Sequence, residues 1–91
     1  MWRVVWARRA RDDLKRIRAF IAKDNPLAAD RLARLIQDAT ETLADHAERD
    51  AQARGSLRKL TTVRPYLIFY RVRETEVYIV HIRQAARRPR P

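Results

Sequence analysis

Asp24-Asn25-Pro26 ends one helical pattern and opens another, and the rest of the fold can be read outward from it. A residue before proline is biased away from helix, and proline suits the first helical turn. Asn25 also offers a side-chain oxygen of the kind that caps a helix N-terminus. Upstream, Ala10, Leu14, Ile17 and Ile21 are spaced by four, three and four, which makes one apolar helical face. Arg8, Arg11, Asp12, Lys15 and Arg18 fall on the opposite face. Downstream, Leu32, Leu35, Ile36, Ala39 and Leu43 form the stripe of a second helix from about Pro26 to about Asp45. With so short a break between them, the two helices are predicted to form an antiparallel hairpin.

Outside the hairpin the period is two. Trp2, Val4 and Trp6 alternate with Arg3 and Val5, as in a short strand. Residues 47–55 contain no large apolar side chain and read as a loop or a frayed helical extension, with Gly55 marking the turn into a sheet. Strands are predicted at about 57–62, 66–73 and 76–83, with Pro65 opening the middle one, where its missing N–H does least harm. In that strand Leu67 and Phe69 face one side and Tyr66, Ile68 and Tyr70 the other. Apolar character on both faces marks a central strand. In the last strand strict alternation puts Tyr78, Val80 and Ile82 on one face, and Val77, Ile79, His81 and Arg83 on the other. The fold class is therefore α+β in two layers: an N-terminal strand, an antiparallel helical hairpin and a three-stranded antiparallel meander. The first strand must join the same sheet to bury Trp2, Val4 and Trp6, and its neighbour is left open. Residues 1–83 are read as a single domain and 84–91 as a basic C-terminal tail.

Ninety-one residues suffice for one domain and not for two. Without cysteine the chain has no disulfide and no cysteine metal site, in keeping with a reducing cytoplasm. Its N-terminus lacks the apolar run of a signal peptide, and its uncharged runs are too short to span a bilayer. The net charge is +10, unevenly spread: residues 51–91 carry ten basic and two acidic side chains, whereas residues 24–50 carry three basic and seven acidic. Such a field concentrates polyanions or acidic proteins, although it is also what solvated arginine-rich faces look like.

No Gly-rich phosphate loop, zinc spacing or Ser-His-Asp constellation is present. His46 ends the second helix, where an imidazolium favours the helix dipole. His81 lies mid-strand, as either a general acid–base group or a satisfied sheet histidine. Arg58, Lys59, Arg64, Arg71, Arg83, Arg87 and Arg88 fall on or beside three neighbouring strands. Together they suit a phosphate backbone, with Tyr66 or Tyr70 for stacking, unless those tyrosines belong to the core or rim. Phe20 and Leu27 are either core or part of a partner groove beside the hairpin.

Taken in order, these pieces resemble the RelE/ParE superfamily, the toxin halves of bacterial type II toxin–antitoxin pairs. The likeness runs from Ala10, Asp13-Leu14, Ile17 and Phe20-Ile21-Ala22 through Asp24-Asn25-Pro26, Ala28-Ala29, Leu43 and Gly55. It continues through Arg64 to Val72 and Val77 to Val80, and ends in Ala86-Arg87-Arg88-Pro89. The resemblance implies a bacterial cytoplasmic toxin neutralised by a cognate antitoxin, with no cofactor, metal or small-molecule substrate. ParE-like members inhibit DNA gyrase without catalysis of their own, and the hairpin motif favours that subgroup. RelE-like members cleave mRNA on the ribosome; a basic module without toxicity is a third possibility. Under the ParE-like reading Arg58, Arg64, Arg83, Arg87 and Arg88 bind the target, and Phe20, Leu27 and Arg71 the antitoxin. Under the RelE-like reading Arg58, Lys59, Arg64, His81 and Arg83 carry the cleavage. Gln84 stands where many relatives have histidine, no tyrosine or tryptophan follows Arg87, and a proline common after the second helix in relatives is replaced near Ala47. The first two weaken the nuclease reading.

Overall fold

The structure, a computed structural model, describes residues 2–46 and 56–85. Six elements follow in chain order: β1 Arg3–Trp6, α1 Arg8–Ala22, α2 Pro26–Asp45, β2 Arg58–Leu60, β3 Tyr66–Arg73 and β4 Glu76–Gln84. The hairpin forms as its caps dictate. Asn25 has extended backbone and its side chain accepts the Ala28 N–H at 3.0 Å, with Pro26 in the first turn of α2. At the end of α1, the N–H groups of Asp24 and Asn25 both turn back to the Ile21 carbonyl.

The strands form one sheet in the order β1-β4-β3-β2. β2, β3 and β4 make the antiparallel meander, and β1 pairs with β4 in parallel, Val4 opposite Val77 and Trp6 opposite Ile79. That settles the neighbour of the first strand. β2 is shorter than expected because the chain turns before Pro65, with the Tyr66 N–H reaching the Val63 carbonyl at 2.8 Å. β4 runs on through Gln84, and Ala85 donates to the Pro65 carbonyl. In the β3–β4 turn Glu74 has φ 52°, a left-handed conformation that non-glycine residues adopt at a cost.

The helices cover one face of this sheet. Ala10, Ile36 and Leu43 meet Ile68, Tyr70, Val72, Val77, Ile79 and Ile82 in a single core, with Trp2, Val4 and Trp6 packed at its margin. Each fully buried aliphatic side chain contributes roughly 1.5–3 kcal/mol. On α2 the buried residues are Ala29, Ala33, Ile36, Thr40 and Leu43, with Leu32 and Ala39 packed against the core; of the stripe expected from the period only Leu35 falls outside it. Leu35 is 51% exposed because it sits a full 100° step from Ile36 on the helix and so misses the sheet. Thr40 enters the core with its hydroxyl donated to the Gln37 carbonyl.

Phe69 lies opposite His81, whereas Tyr70 lies opposite Ile79, so Val80 is an extra residue, a β-bulge. The bulge shifts the alternation by one. Val77, Ile79 and Ile82 all face the core, and His81 and Arg83 pass to the uncovered face instead of following Ile79.

Candidate functional site

The uncovered face of the sheet collects the groups that the bulge redirects. In register across it stand Lys59 opposite Phe69, Phe69 opposite His81, Leu67 opposite Arg83 and Arg71 opposite Tyr78. Phe69 is the centre. Its ring stacks on the His81 imidazole with centroids 4.4 Å apart and planes at 15°. The Arg83 guanidinium carbon lies 5.5 Å from the Phe69 centroid, and that of Arg73 lies 5.8 Å from the centroid of Tyr78. Such cation–π contacts hold long basic side chains over aromatic faces and leave their donors available to an anion.

His81 is shaped by this setting. Its Nδ1 is buried, with no hydrogen-bond partner among the described residues. Burial lowers its pKa below the ordinary value, with Arg9 and then Arg83 acting in the same direction and Asp13 opposing. The imidazole is therefore held toward its neutral form. At the other end of the face, a hydrogen bond to the Glu76 carboxylate raises the pKa of Tyr78, and Glu76 also meets Arg3 at 4.0 Å.

The basic residues singled out in sequence separate into groups. Arg83 and Lys59 sit on the open face around Phe69, and Arg71 shares that face beside Tyr78. Arg58 lies opposite buried Tyr70, so its side chain leaves the edge strand toward the helix-covered side. Arg64 is exposed in the turn before β3, and Arg87 and Arg88 lie outside the described residues. Tyr70 belongs to the core, and Tyr66 packs at its margin. The stacking aromatic of the open face is Phe69, which the sequence reading placed on the right face without giving it a role. Its signal was the alternation that put it opposite the tyrosines.

Phe20 and Leu27 are 71% and 72% exposed, at the end of α1 and the start of α2. Phe20 borders a groove of about 340 Å³ with Arg16, Ile17, Tyr66 and Gln84. Arg71 stands on the opposite face of the sheet, apart from Phe20 and Leu27 at the hairpin end. A larger groove, about 610 Å³, runs between β1 and α1, with Val5 and Leu14 among its apolar residues. Exposed Arg3, Arg11, Lys15 and Arg18 flank it, and Arg18 pairs with Asp30. The basic stripe of α1 was visible in the helical period, but its position beside the β1 edge was not. Among the described residues no helix is long and apolar enough to cross a membrane.

A small basic α+β chain with a covered and an uncovered sheet face matches a defined class of protein. One solved structure, the chromosomal ParDE toxin–antitoxin system from P. aeruginosa, superposes with a TM-score of 0.73 at 25% identity, covering 94% of this chain and 98% of that one. Residues 4–89 match the family described as the ParE toxin of the type II toxin–antitoxin system parDE. The chain thus belongs to the ParE toxin family and is the toxin component of a type II toxin–antitoxin system. It is 46% identical over 87 residues to Toxin RelE2 of Caulobacter vibrioides, covering 96% of this chain and 99% of that protein.

Proposed function

We propose that this toxin acts as a ParE-like inhibitor of DNA gyrase and is neutralised by tight binding of a cognate antitoxin. The observation that carries the reading is the state of His81. An imidazole that transfers protons is usually oriented by a second group through its other ring nitrogen. Here Nδ1 is buried without such a partner among the described residues, and the ring is stacked on Phe69. The face around it, with Lys59 and Arg83, is built to bind and not to turn over. The antitoxin surface is the groove beside β1, whose basic margin suits an acidic segment, together with the exposed apolar side chains at the hairpin end.

A second reading, ribosome-dependent mRNA cleavage, draws on the convergence of Lys59, His81 and Arg83 around one aromatic ring. Purified toxin separates the two. Inhibition of gyrase supercoiling with intact mRNA in a translating extract is the expected result. Site-selective mRNA cleavage with supercoiling unaffected would replace the gyrase reading with the nuclease one.

A further inference from the structure

We propose that Asp13 is the positioning residue of the open-face site: bound to the Ile82 amide, it holds the β4 bulge that turns His81 and Arg83 toward Phe69. The inference rests on the open face being the working surface. The reason lies in where β1 ends. β1 is paired with β4 only as far as Trp6 opposite Ile79, and the Ala7 N–H still reaches the Ile79 carbonyl at 2.9 Å. The chain then turns into α1, so among the described residues this flank of β4 has no strand neighbour beyond Ile79. A buried amide there needs another acceptor, since an unpaired buried N–H is costly. The Ile82 N–H donates to Asp13 Oδ2 at 3.0 Å, across 69 positions of sequence. Both residues are buried, 6% exposed for Asp13 and 3% for Ile82.

Asp13 is fitted for this task by its own helix. Its Oδ1 accepts from both terminal nitrogens of Arg16 at 3.2 Å, and the Arg9 Nε lies 4.0 Å from Oδ2. The charge is thereby matched within α1, while Oδ2 reaches the strand. Regular alternation from Ile79 onward would send His81 and Arg83 under the helices and Ile82 out. Burial of Ile82 opposes that slip, and so does the Asp13 hydrogen bond at the first core-facing residue after the bulge. Loss of Asp13 should therefore loosen the bulge without abolishing the fold.

The test uses isotope-labelled full-length toxin and NMR. In the wild type the Ile82 amide should show a coupling through the hydrogen bond to the Asp13 side-chain carboxyl carbon, and the His81 and Phe69 rings should show strong Overhauser contacts. Asp13→Ala should lower the exchange protection of Ile82 by about ten-fold or more while leaving Ile36 and Val72 protected, and should weaken the ring contacts. Asp13→Asn, which keeps an oxygen acceptor, should restore the contacts. Arg16→Ala should leave them in place, which separates the amide bond from the ion pair. Unchanged Ile82 protection and ring contacts in Asp13→Ala would overturn the proposal. If that variant does not fold, absence of the wild-type coupling, or loss of the contacts in Arg16→Ala, would do so. Growth arrest is scored alongside. Weakened contacts with undiminished arrest would uphold the positioning and remove the open face as the toxic surface.

Discussion

Phe69 and His81, on adjacent central strands, stack at 4.4 Å between ring centroids, and the stack brings an imidazole, a guanidinium and an ammonium-bearing strand position to one point on the open face. The same stack keeps His81 dry on one side, which ties the chemistry of the surface to the stability of the fold.

The folded state lowers the His81 pKa, chiefly by burial and next through Arg9. The unfolded chain, with its ordinary value of about 6.5, binds this proton more readily. Stability linked to His81 is therefore present above that value and is lost as pH falls through it toward the depressed folded pKa. Urea midpoints measured from pH 8 to pH 5 should decline, and His81→Gln should flatten the decline over that window. An equally steep decline in the variant would assign the effect to other groups.

Two neighbours on α2 should respond oppositely to truncation. Ile36 is fully buried and Leu35 is 51% exposed. Ile36→Ala should destabilise by about 2–5 kcal/mol, a large share of the stability of a small domain, whereas Leu35→Ala should stay within about 0.5 kcal/mol. Thermal unfolding reads both. Co-expressed antitoxin should recover much of the Ile36→Ala loss, because any ligand selective for the folded state stabilises it.

The cap is a local test. Asn25→Ala removes the side-chain acceptor of the Ala28 N–H and should cost about 0.5–2 kcal/mol, whereas Asn25→Gly should cost only a few tenths. Chemical denaturation of the two variants side by side would show whether the hairpin relies on this bond.

The β3–β4 turn holds Glu74 at positive φ. Glu74→Val should be destabilising by roughly 1–2 kcal/mol, since a β-branched residue tolerates that region worst, and Glu74→Asn should be neutral or stabilising. The side chain is exposed, so a change in urea midpoint reports chiefly the backbone.

The open-face cations test the functional surface. Lys59→Ala combined with Arg83→Ala should leave the unfolding midpoint nearly unchanged, because solvent-facing basic groups add little net stability. Growth arrest on expression should be relieved. Full toxicity in this double variant would move the active surface to the hairpin.

Features that depend on near neighbours along the chain could be read from the amino acids alone. The hairpin is legible because the cap of Asn25, the proline beside it and the 3.6-residue period all act within a few positions. The three antiparallel strands are legible because side chains alternate along each of them, and that alternation placed Leu67 and Phe69 on one face correctly. The tertiary structure alone decided which face His81 and Arg83 take. Their placement follows from a bulge at Val80, where the amide beyond it is met by a carboxylate 69 positions earlier. It likewise decided that Leu35 looks outward and that β1 pairs in parallel with β4. A period says how residues alternate along an element; which side is buried, and where the count slips by one, is set by the partners that long-range packing brings against it.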